Sequence, residues 1–154
     1  VAGIDGCTAT ALGWHMGQQA TDIQGSTWLV TGDVAFHYDA NALLTDPVPD
    51  GLKIVVMNNQ GGGIFRWLSG TQHEAMFERH FETPPNRTVK ELADAMHAQY
   101  LPVRDASDLP AALEQARLCP TPVVVDIQTP DEQSAEERVQ YLETFDLDKN
   151  STFS

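Results

Sequence analysis

The chain has 154 residues, 42% of them hydrophobic and 20% charged, and its 22 acidic against nine basic side chains give a formal net charge of −13. This composition excludes a disordered or fibrous protein, and the lack of a basic surface argues against nucleic acid as a partner. No apolar run approaches the roughly 18 residues of a membrane span, and two cysteines make no disulfide framework, so we expect a cytoplasmic protein.

Short apolar runs alternate with helical patterns along the chain. This alternation is typical of an α/β fold with a mostly parallel sheet, and the continuous hydrophobicity of the strands indicates helices on both faces. The length fits one domain, 1–154, and the start in a Gly-rich turn without Met predicts a piece of a longer polypeptide. In chain order we predict a helix at 8–19, a strand at 27–31, a short helix at 38–45, a strand at 53–57, helical segments at 64–68 and 74–81, a helix at 88–100, a short strand at 101–103, a helix at 107–118 capped by Ser107, a strand at 122–127 and a helix at 134–145.

Polar residues and glycines follow two of the predicted strands at the point where each strand ends. Gly32 and Asp33 follow one strand, and Asn58, Asn59 and the glycines at 61–63 follow the next. In parallel sheets, ligands bind at the carboxyl ends of the strands, and a strand–helix–strand unit brings two such ends to one edge. Each of these features also has a simpler explanation when it is taken alone. The aspartate can cap a helix, the asparagines can form a turn, and the glycines can form a flexible loop.

Taken together, these residues predict a site for a metal ion and a phosphate group. The carboxylate of Asp33, the amide oxygen of Asn59 and a carbonyl of the glycine loop are the hard ligands that Mg²⁺ prefers. The glycine backbone can also present N–H groups to an anion. Lys53 is the only basic residue between Ser26 and Phe65, so a diphosphate here would depend on metal, backbone N–H groups and helix N-termini. The motifs of P-loop and dinucleotide-binding proteins are absent from the sequence.

The pair Gly32-Asp33 followed by Asn58-Asn59 resembles the thiamine diphosphate signature GDG–x–NN. Val34 stands where the signature has its second glycine, a departure that suits one branch of these enzymes. That branch is the 2-succinyl-5-enolpyruvyl-6-hydroxy-3-cyclohexene-1-carboxylate synthase family of menaquinone biosynthesis (the MenD family), and the resemblance covers about residues 1–81. The stretches that carry it are GIDGCTATALG (3–13), TGDVAFHYDANALL (31–44) and NNQGGGIF (58–65).

The resemblance implies a transferase that uses thiamine diphosphate and Mg²⁺, with Mn²⁺ as an alternative metal. Members of the family decarboxylate 2-oxoglutarate and add the succinyl-semialdehyde unit to isochorismate. By the resemblance, Asp33, Asn59 and the carbonyl of Gly61 would hold the metal ion. It also implies a set of cofactor contacts and an apolar substrate wall, for which ordinary core packing is the alternative. The cofactor contacts would be Ile4, Gly32, Asp33, Val34, Ala35, Asn59, Gly61, Gly62 and Gly63, and the wall would be Ile64, Phe65 and Leu68.

We expect no residue of this chain to act as the catalytic acid or base. In this superfamily the glutamate that acts on the aminopyrimidine belongs to a pyrimidine-binding domain of a partner subunit. The resemblance therefore implies a homodimer or homotetramer, with this chain as a C-terminal part that is inactive alone. Two alternatives stay open: the cofactor domain of a 2-oxoacid decarboxylase or acetolactate synthase, and a non-catalytic oligomerisation module. His37 is a further candidate contact to the diphosphate, and Asp39 is expected to cap or brace.

Overall fold

A computed structural model describes residues 3–23, 25–44, 47–66, 86–130, 136–137 and 140–141. The predicted helix at 74–81 and the candidate residue Leu68 lie outside this part of the chain. Of the predicted closing helix at 134–145, residues 136–137 and 140–141 are helical. Among the described residues, no helix is both long enough and apolar enough to cross a membrane.

Helices and strands alternate along the chain, as the sequence predicts. The four described strands form one parallel sheet in the order β1-β2-β4-β3, which confirms the predicted α/β fold. The elements are α1 (Cys7–Ala20), β1 (Thr27–Gly32), α2 (Asp33–Tyr38), a 3₁₀ turn (Ala40–Leu43), β2 (Leu52–Asn58), a 3₁₀ turn (Gly63–Arg66), α3 (Val89–Ala95), β3 (Gln99–Val103), a 3₁₀ turn (Ala106–Asp108), α4 (Leu109–Leu118) and β4 (Val123–Gln128).

The central strands are buried on both faces, because successive residues of a strand point to opposite sides of the sheet. Ile54 of β2 and Val124 of β4 belong to one apolar cluster, which includes residues of α2 and α3. Val55 and Val125, their neighbours in sequence, belong to a second cluster with Ala116 of α4. The continuous hydrophobicity of these strands is therefore explained by helices on both sides of the sheet.

Strand β1 is an edge strand of the described sheet, and part of its apolar surface is uncovered. Trp28 and Val30 are 40% and 68% exposed, and Met57 on the neighbouring strand is 43% exposed. Together with Leu113 and Ile127 they line an open apolar groove of about 620 Å³. Contiguous apolar surface of this kind favours association with other protein surfaces.

The predicted helix at 38–45 is wrong in its position. Gly32 is extended, with φ −84° and ψ 160°, and α2 begins at the next residue, Asp33. The residues after Tyr38 form the short 3₁₀ turn Ala40–Leu43 instead of a continuous helix. The chain thus passes from strand to helix without a loop, and this places Asp33 at the end of the sheet.

Two further helix boundaries differ from the prediction. Helix α3 begins with a capping box between Thr88 and Glu91 but ends at Ala95, because His97 adopts a φ of 54° and the following residues join β3. Ser107 does not cap α4. Its backbone N–H is instead bound by the side chain of Asp105 at 2.8 Å, and the α-helix starts later, at Leu109.

Candidate functional site

Asp33 and Asn59 lie at the same edge of the sheet, as the sequence predicts. Strands β1 and β2 are parallel neighbours with Gly32 opposite Met57, so the residues that follow both strands leave the sheet side by side. The immediate start of α2 holds the carboxylate of Asp33, which is 2% exposed, next to the loop that follows β2.

Three polar groups meet at this edge: the carboxylate of Asp33, the side-chain amide of Asn59 and the carbonyl of Gly61. With its nitrogen facing the other two groups, the amide donates to Asp33 Oδ1 at 3.2 Å and to the Gly61 oxygen at 3.1 Å. With its oxygen in that place, three oxygens face one another, an arrangement that a cation stabilises. Adjacent ligands of an octahedral Mg²⁺ at about 2.1 Å lie about 3.0 Å apart, so this spacing suits the ion.

The described residues around the buried carboxylate of Asp33 do not fully stabilise its negative charge. Burial raises the pKa of Asp33 above its ordinary value, while hydrogen bonds from the backbone of Val34 and Gly61 and the nearby ring of His37 act in the opposite direction. Its Oδ2 atom is buried and makes no hydrogen bond within the described part of the structure. A buried carboxylate oxygen without a partner costs free energy, which a bound cation would offset. The orphaned oxygen and the all-oxygen donor set therefore both fit Mg²⁺ or Mn²⁺.

The loop after β2 holds Asn59 and Gly61 through its own hydrogen bonds. The N–H of Gln60, whose φ is 65°, donates to Asn58 Oδ1 at 3.1 Å. The N–H of Gly63 donates to the carbonyl of Gly61 at 2.9 Å. A Cβ atom on Gly63 would overlap the second terminal atom of the Asn59 amide, which is the nitrogen when the oxygen faces Asp33, and would lie 3.5 Å from Cγ, so only glycine permits this close approach.

Replacing Gly63 with alanine is expected to weaken Mg²⁺ binding at this edge of the sheet by about tenfold to a hundredfold, because the new methyl group displaces the Asn59 amide. Gly17→Ala is the matched control. Nothing lies within 4 Å of a Cβ at this helical position, so this change should preserve binding and stabilise α1 by about 0.5–1 kcal/mol. Calorimetric titration of both variants measures the difference, and equal affinities would show that Asn59 need not stay in place.

Comparison with known families decides what kind of domain this is. The model of the family described as "Thiamine pyrophosphate enzyme, C-terminal TPP binding domain" matches residues 2–127. The chain belongs to this family. The Asp33–Asn59–Gly61 cluster thus lies in a thiamine pyrophosphate-binding domain, at the carboxyl edge of its sheet.

The chain is also similar to proteins described as 2-succinyl-5-enolpyruvyl-6-hydroxy-3-cyclohexene-1-carboxylate synthases. The protein of Flavobacterium johnsoniae is 40% identical over 113 residues, which are 73% of this chain and 20% of that protein. That of Thermobifida fusca is 43% identical over 116 residues, again 73% of this chain and 20% of the relative. That of Porphyromonas gingivalis is 39% identical over 111 residues, 72% of this chain and 18% of the relative. The chain spans about one fifth of the length of these relatives.

A solved structure supports the same architecture. Benzoylformate decarboxylase from Polynucleobacter necessarius superimposes with a TM-score of 0.60 at 20% sequence identity, covering 79% of this chain and 23% of that one. At this level of identity the likeness shows a common fold. The thiamine pyrophosphate-binding fold is therefore supported by sequence and by structure.

The ring of His37 lies between two backbone carbonyl groups. Its Nδ1 lies 2.7 Å from the backbone oxygen of Asp33, and its Nε2 lies 2.6 Å from the backbone oxygen of Arg87. Both ring nitrogens are thus used within the thiamine pyrophosphate-binding domain, where they tie α2 to the residue before the cap of α3. A direct contact of His37 with a diphosphate stays a prediction.

The apolar candidates differ in their exposure. Ile4 and Ile64 are 41% and 43% exposed, and Phe65 is half-buried. Core packing therefore does not account for Ile64, and the side chains of Ile4 and Ile64 are accessible to a ligand. Leu68, the third candidate for the substrate wall, lies outside the described residues. In α2, Val34 is partly buried and Ala35 is buried.

The sequence analysis did not single out the buried polar residue Asp126. Asp126 of β4 accepts hydrogen bonds from Asn58, at the end of β2, and from Tyr100 of β3. The signal was an acidic residue inside an otherwise apolar strand, where a charge is rare unless it is paired or hydrogen-bonded.

The bracing role expected for Asp39 is confirmed, because its Oδ2 accepts the N–H of Ala9 at 2.7 Å, in the first turn of α1.

Proposed function

We propose that the chain is the thiamine diphosphate- and Mg²⁺-binding domain of an enzyme that decarboxylates 2-oxoglutarate and adds the succinyl-semialdehyde unit to isochorismate. The observation that carries this proposal is the approach of Asn59 to Asp33 and Gly61 at 3.2 and 3.1 Å. The choice of reaction is supported by three synthases of the corresponding name, which are 39–43% identical to the chain.

In this proposal, Asp33, Asn59 and the carbonyl of Gly61 hold the metal ion. The backbone of residues 32–35 and 61–63 faces the diphosphate, where N–H groups can bind phosphate oxygens. When bound, thiamine diphosphate supplies the chemistry that cleaves the bond between the carbonyl and carboxyl carbons of a 2-oxo acid. The chain's own task is to bind and orient this cofactor. Ile4 would provide an apolar contact to the cofactor, and Ile64, Phe65 and Leu68 would provide the apolar wall for the substrate.

A metal ion suits this arrangement because Lys53, the one lysine or arginine in the sequence between Ser26 and Phe65, is used elsewhere. Lys53 lies near the start of β2, at the opposite end of the strand from the glycine loop. Its Nζ donates to the backbone oxygens of Cys119 and Thr121, each at 2.6 Å. Within residues 26–65, neutralisation of a diphosphate therefore falls to the metal ion and to backbone N–H groups.

The rest of the catalytic machinery is proposed to lie outside this chain. The relatives are about five times as long as the segment that the chain matches, which supports additional domains. We place the glutamate that acts on the aminopyrimidine on the pyrimidine-binding domain of a partner subunit, in a cytoplasmic homodimer or homotetramer. The present chain is then the C-terminal cofactor domain of that enzyme.

A product assay with the full-length protein tests the reaction. With thiamine diphosphate, Mg²⁺, 2-oxoglutarate and isochorismate, we expect one CO₂ released for each isochorismate consumed. Turnover of pyruvate or benzoylformate without isochorismate would instead favour a decarboxylase or an acetolactate synthase. Complete failure to bind thiamine diphosphate would favour a non-catalytic oligomerisation module.

Replacing Phe65 with alanine is expected to raise the KM for isochorismate about tenfold, because the loss of an apolar wall costs about 1–3 kcal/mol of substrate binding. Phe65 follows the glycine loop, and its backbone N–H donates to the carbonyl of Gly62 at 3.1 Å. The dissociation constant of thiamine diphosphate should change less than about twofold, since this backbone bond is retained. Tyr38→Ala, at a residue that is 66% exposed, serves as the control. A change confined to cofactor affinity would make Phe65 a packing residue.

A further inference from the structure

Asp126 is the centre of a buried hydrogen-bond network beside the glycine loop. The residue is 1% exposed, and both of its carboxylate oxygens are occupied. Oδ1 accepts from the amide of Asn58 at 2.9 Å, and Oδ2 accepts from the hydroxyl of Tyr100 at 2.7 Å and from the amide of Gln128 at 3.1 Å. Three donors from three strands therefore fix the position of this carboxylate, which offsets the cost of burying it.

The network determines the orientation of the Asn58 side chain. Because its Nδ2 atom donates to Asp126, its Oδ1 atom points the other way and accepts the N–H of Gln60 at 3.1 Å. Its backbone oxygen also accepts the N–H of Thr129 at 2.8 Å, which joins the end of β2 to the end of β4. A reversed amide would place its nitrogen against one donor and its oxygen against a carboxylate, so only one orientation is stable.

The orientation of Asn58 matters because of the residue that it holds. Gln60 has a φ of 65°, a left-handed conformation that costs energy for any residue with a Cβ atom. Gln60 separates Asn59 from Gly61, the two loop groups that face Asp33. The hydrogen bond from Gln60 to Asn58 stabilises this turn, and with it the relative position of the Asn59 amide and the Gly61 carbonyl.

We propose that Asp126 is a positioning residue for the metal loop: through Asn58 it holds the Gln60 turn that presents Asn59 and Gly61 to the ion. This inference rests on the proposed metal site. Tyr100 and Gln128 keep the carboxylate aimed at Asn58. Burial raises the pKa of Tyr100 to about 12, and the hydrogen bond to Asp126 adds to this effect, so the phenol remains a donor at neutral pH.

The test exchanges donor and acceptor between positions 58 and 126 in the full-length protein. Asn58→Asp sets two carboxylates against each other, and we expect Mn²⁺ binding in the presence of thiamine diphosphate to weaken by about tenfold to a hundredfold. The double variant Asn58→Asp/Asp126→Asn should recover affinity to within about threefold of the original. In it, the new carboxylate accepts from Gln60 and from the new amide, and the amide oxygen accepts from Tyr100.

Mn²⁺ binding is measured by electron paramagnetic resonance, with the unfolding midpoint recorded separately. Recovery of the midpoint without recovery of Mn²⁺ affinity would overturn the positioning role, as would normal affinity in Asn58→Asp. Tyr100→Phe provides a milder variant should Asn58→Asp fail to fold. It removes one donor to Asp126 and is expected to weaken Mn²⁺ binding about threefold, whereas unchanged binding would contradict the inference.

Asp33→Asn, measured alongside, separates the two proposals. If it abolishes Mn²⁺ binding while Asn58→Asp retains it, the metal site stands and the positioning role fails. If Asp33→Asn binds Mn²⁺ normally, the proposed metal site fails, and the positioning role fails with it.

Discussion

Replacing Asp33 with asparagine is expected to weaken Mg²⁺-dependent binding of thiamine diphosphate by about a hundredfold or more, because even the groups that support metal ligands cost tenfold to a hundredfold when changed. The substitution keeps the size of the side chain and removes its charge. In the metal-free protein it also removes the charge of a buried carboxylate whose Oδ2 atom has no hydrogen-bond partner among the described residues. The unfolding midpoint without metal should therefore stay the same or rise while cofactor affinity falls.

Two control variants make the Asp33 result specific. Asp94→Asn alters an aspartate that is 56% exposed and pairs with Lys90 at 2.6 Å, so cofactor affinity should not change. His37→Ala should cost less affinity than Asp33→Asn, because His37 contacts the backbone oxygens of Asp33 and Arg87 and is not a ligand in the proposed metal site. Titration calorimetry with Mg²⁺ and thiamine diphosphate compares the three variants. Equal losses for the Asp33 and His37 variants would contradict a direct ligand role for Asp33.

The second large effect concerns the chain by itself. In the presence of thiamine diphosphate and Mg²⁺, the 154-residue chain is expected to convert 2-oxoglutarate and isochorismate at least roughly a thousandfold more slowly than the full-length protein. Catalysis requires the cofactor and both substrates to be held in register, and this chain is proposed to supply only the diphosphate half of the site. Its sheet is buried on both faces at the central strands, so the chain itself should fold.

The measurement compares purified chain and full-length protein in one assay, with circular dichroism to show that both are folded. Light scattering provides a second readout, because the apolar groove between Trp28, Val30 and Leu113 should drive self-association of the chain. Substituting Val30 with threonine, at a position that is 68% exposed, should reduce that association. The same substitution should not increase the turnover of the isolated chain. Turnover close to that of the full-length protein would show that the active site is complete within the chain.

The fold was predictable because its strands are short, apolar and separated by helical patterns. The positions of β1, β2 and β4 follow from runs such as residues 53–57, where continuous hydrophobicity reflects burial on both sides. The boundaries that depend on local backbone geometry were not predictable. The end of α3 at the left-handed His97 and the cap provided by Asp105 arise from conformations and side-chain bonds that periodicity does not encode.

The pairing of Asp33 with Asn59 was predictable for a topological reason, since adjacent parallel strands bring their ends together. The role of Asp126 was not, because its contacts reach from β4 to residues of β2 and β3 that are distant in sequence. The contact between His37 and Arg87 could not be predicted for the same reason, since tertiary packing brings these two residues together. Long-range contacts between polar side chains require the assembled sheet.

The place of β4 between β2 and β3 also determines the order in which the molecule can be built during translation. When residues 53–58 leave the ribosome, β1 is the described partner strand already available to β2, and the other edge of β2 stays open until residues 123–128 have been synthesised. Asp126, which holds Asn58, arrives in that last strand. Until then the open edge of β2 can pair with a wrong strand. Under the proposed positioning role of Asp126, capture of the cofactor follows completion of the sheet.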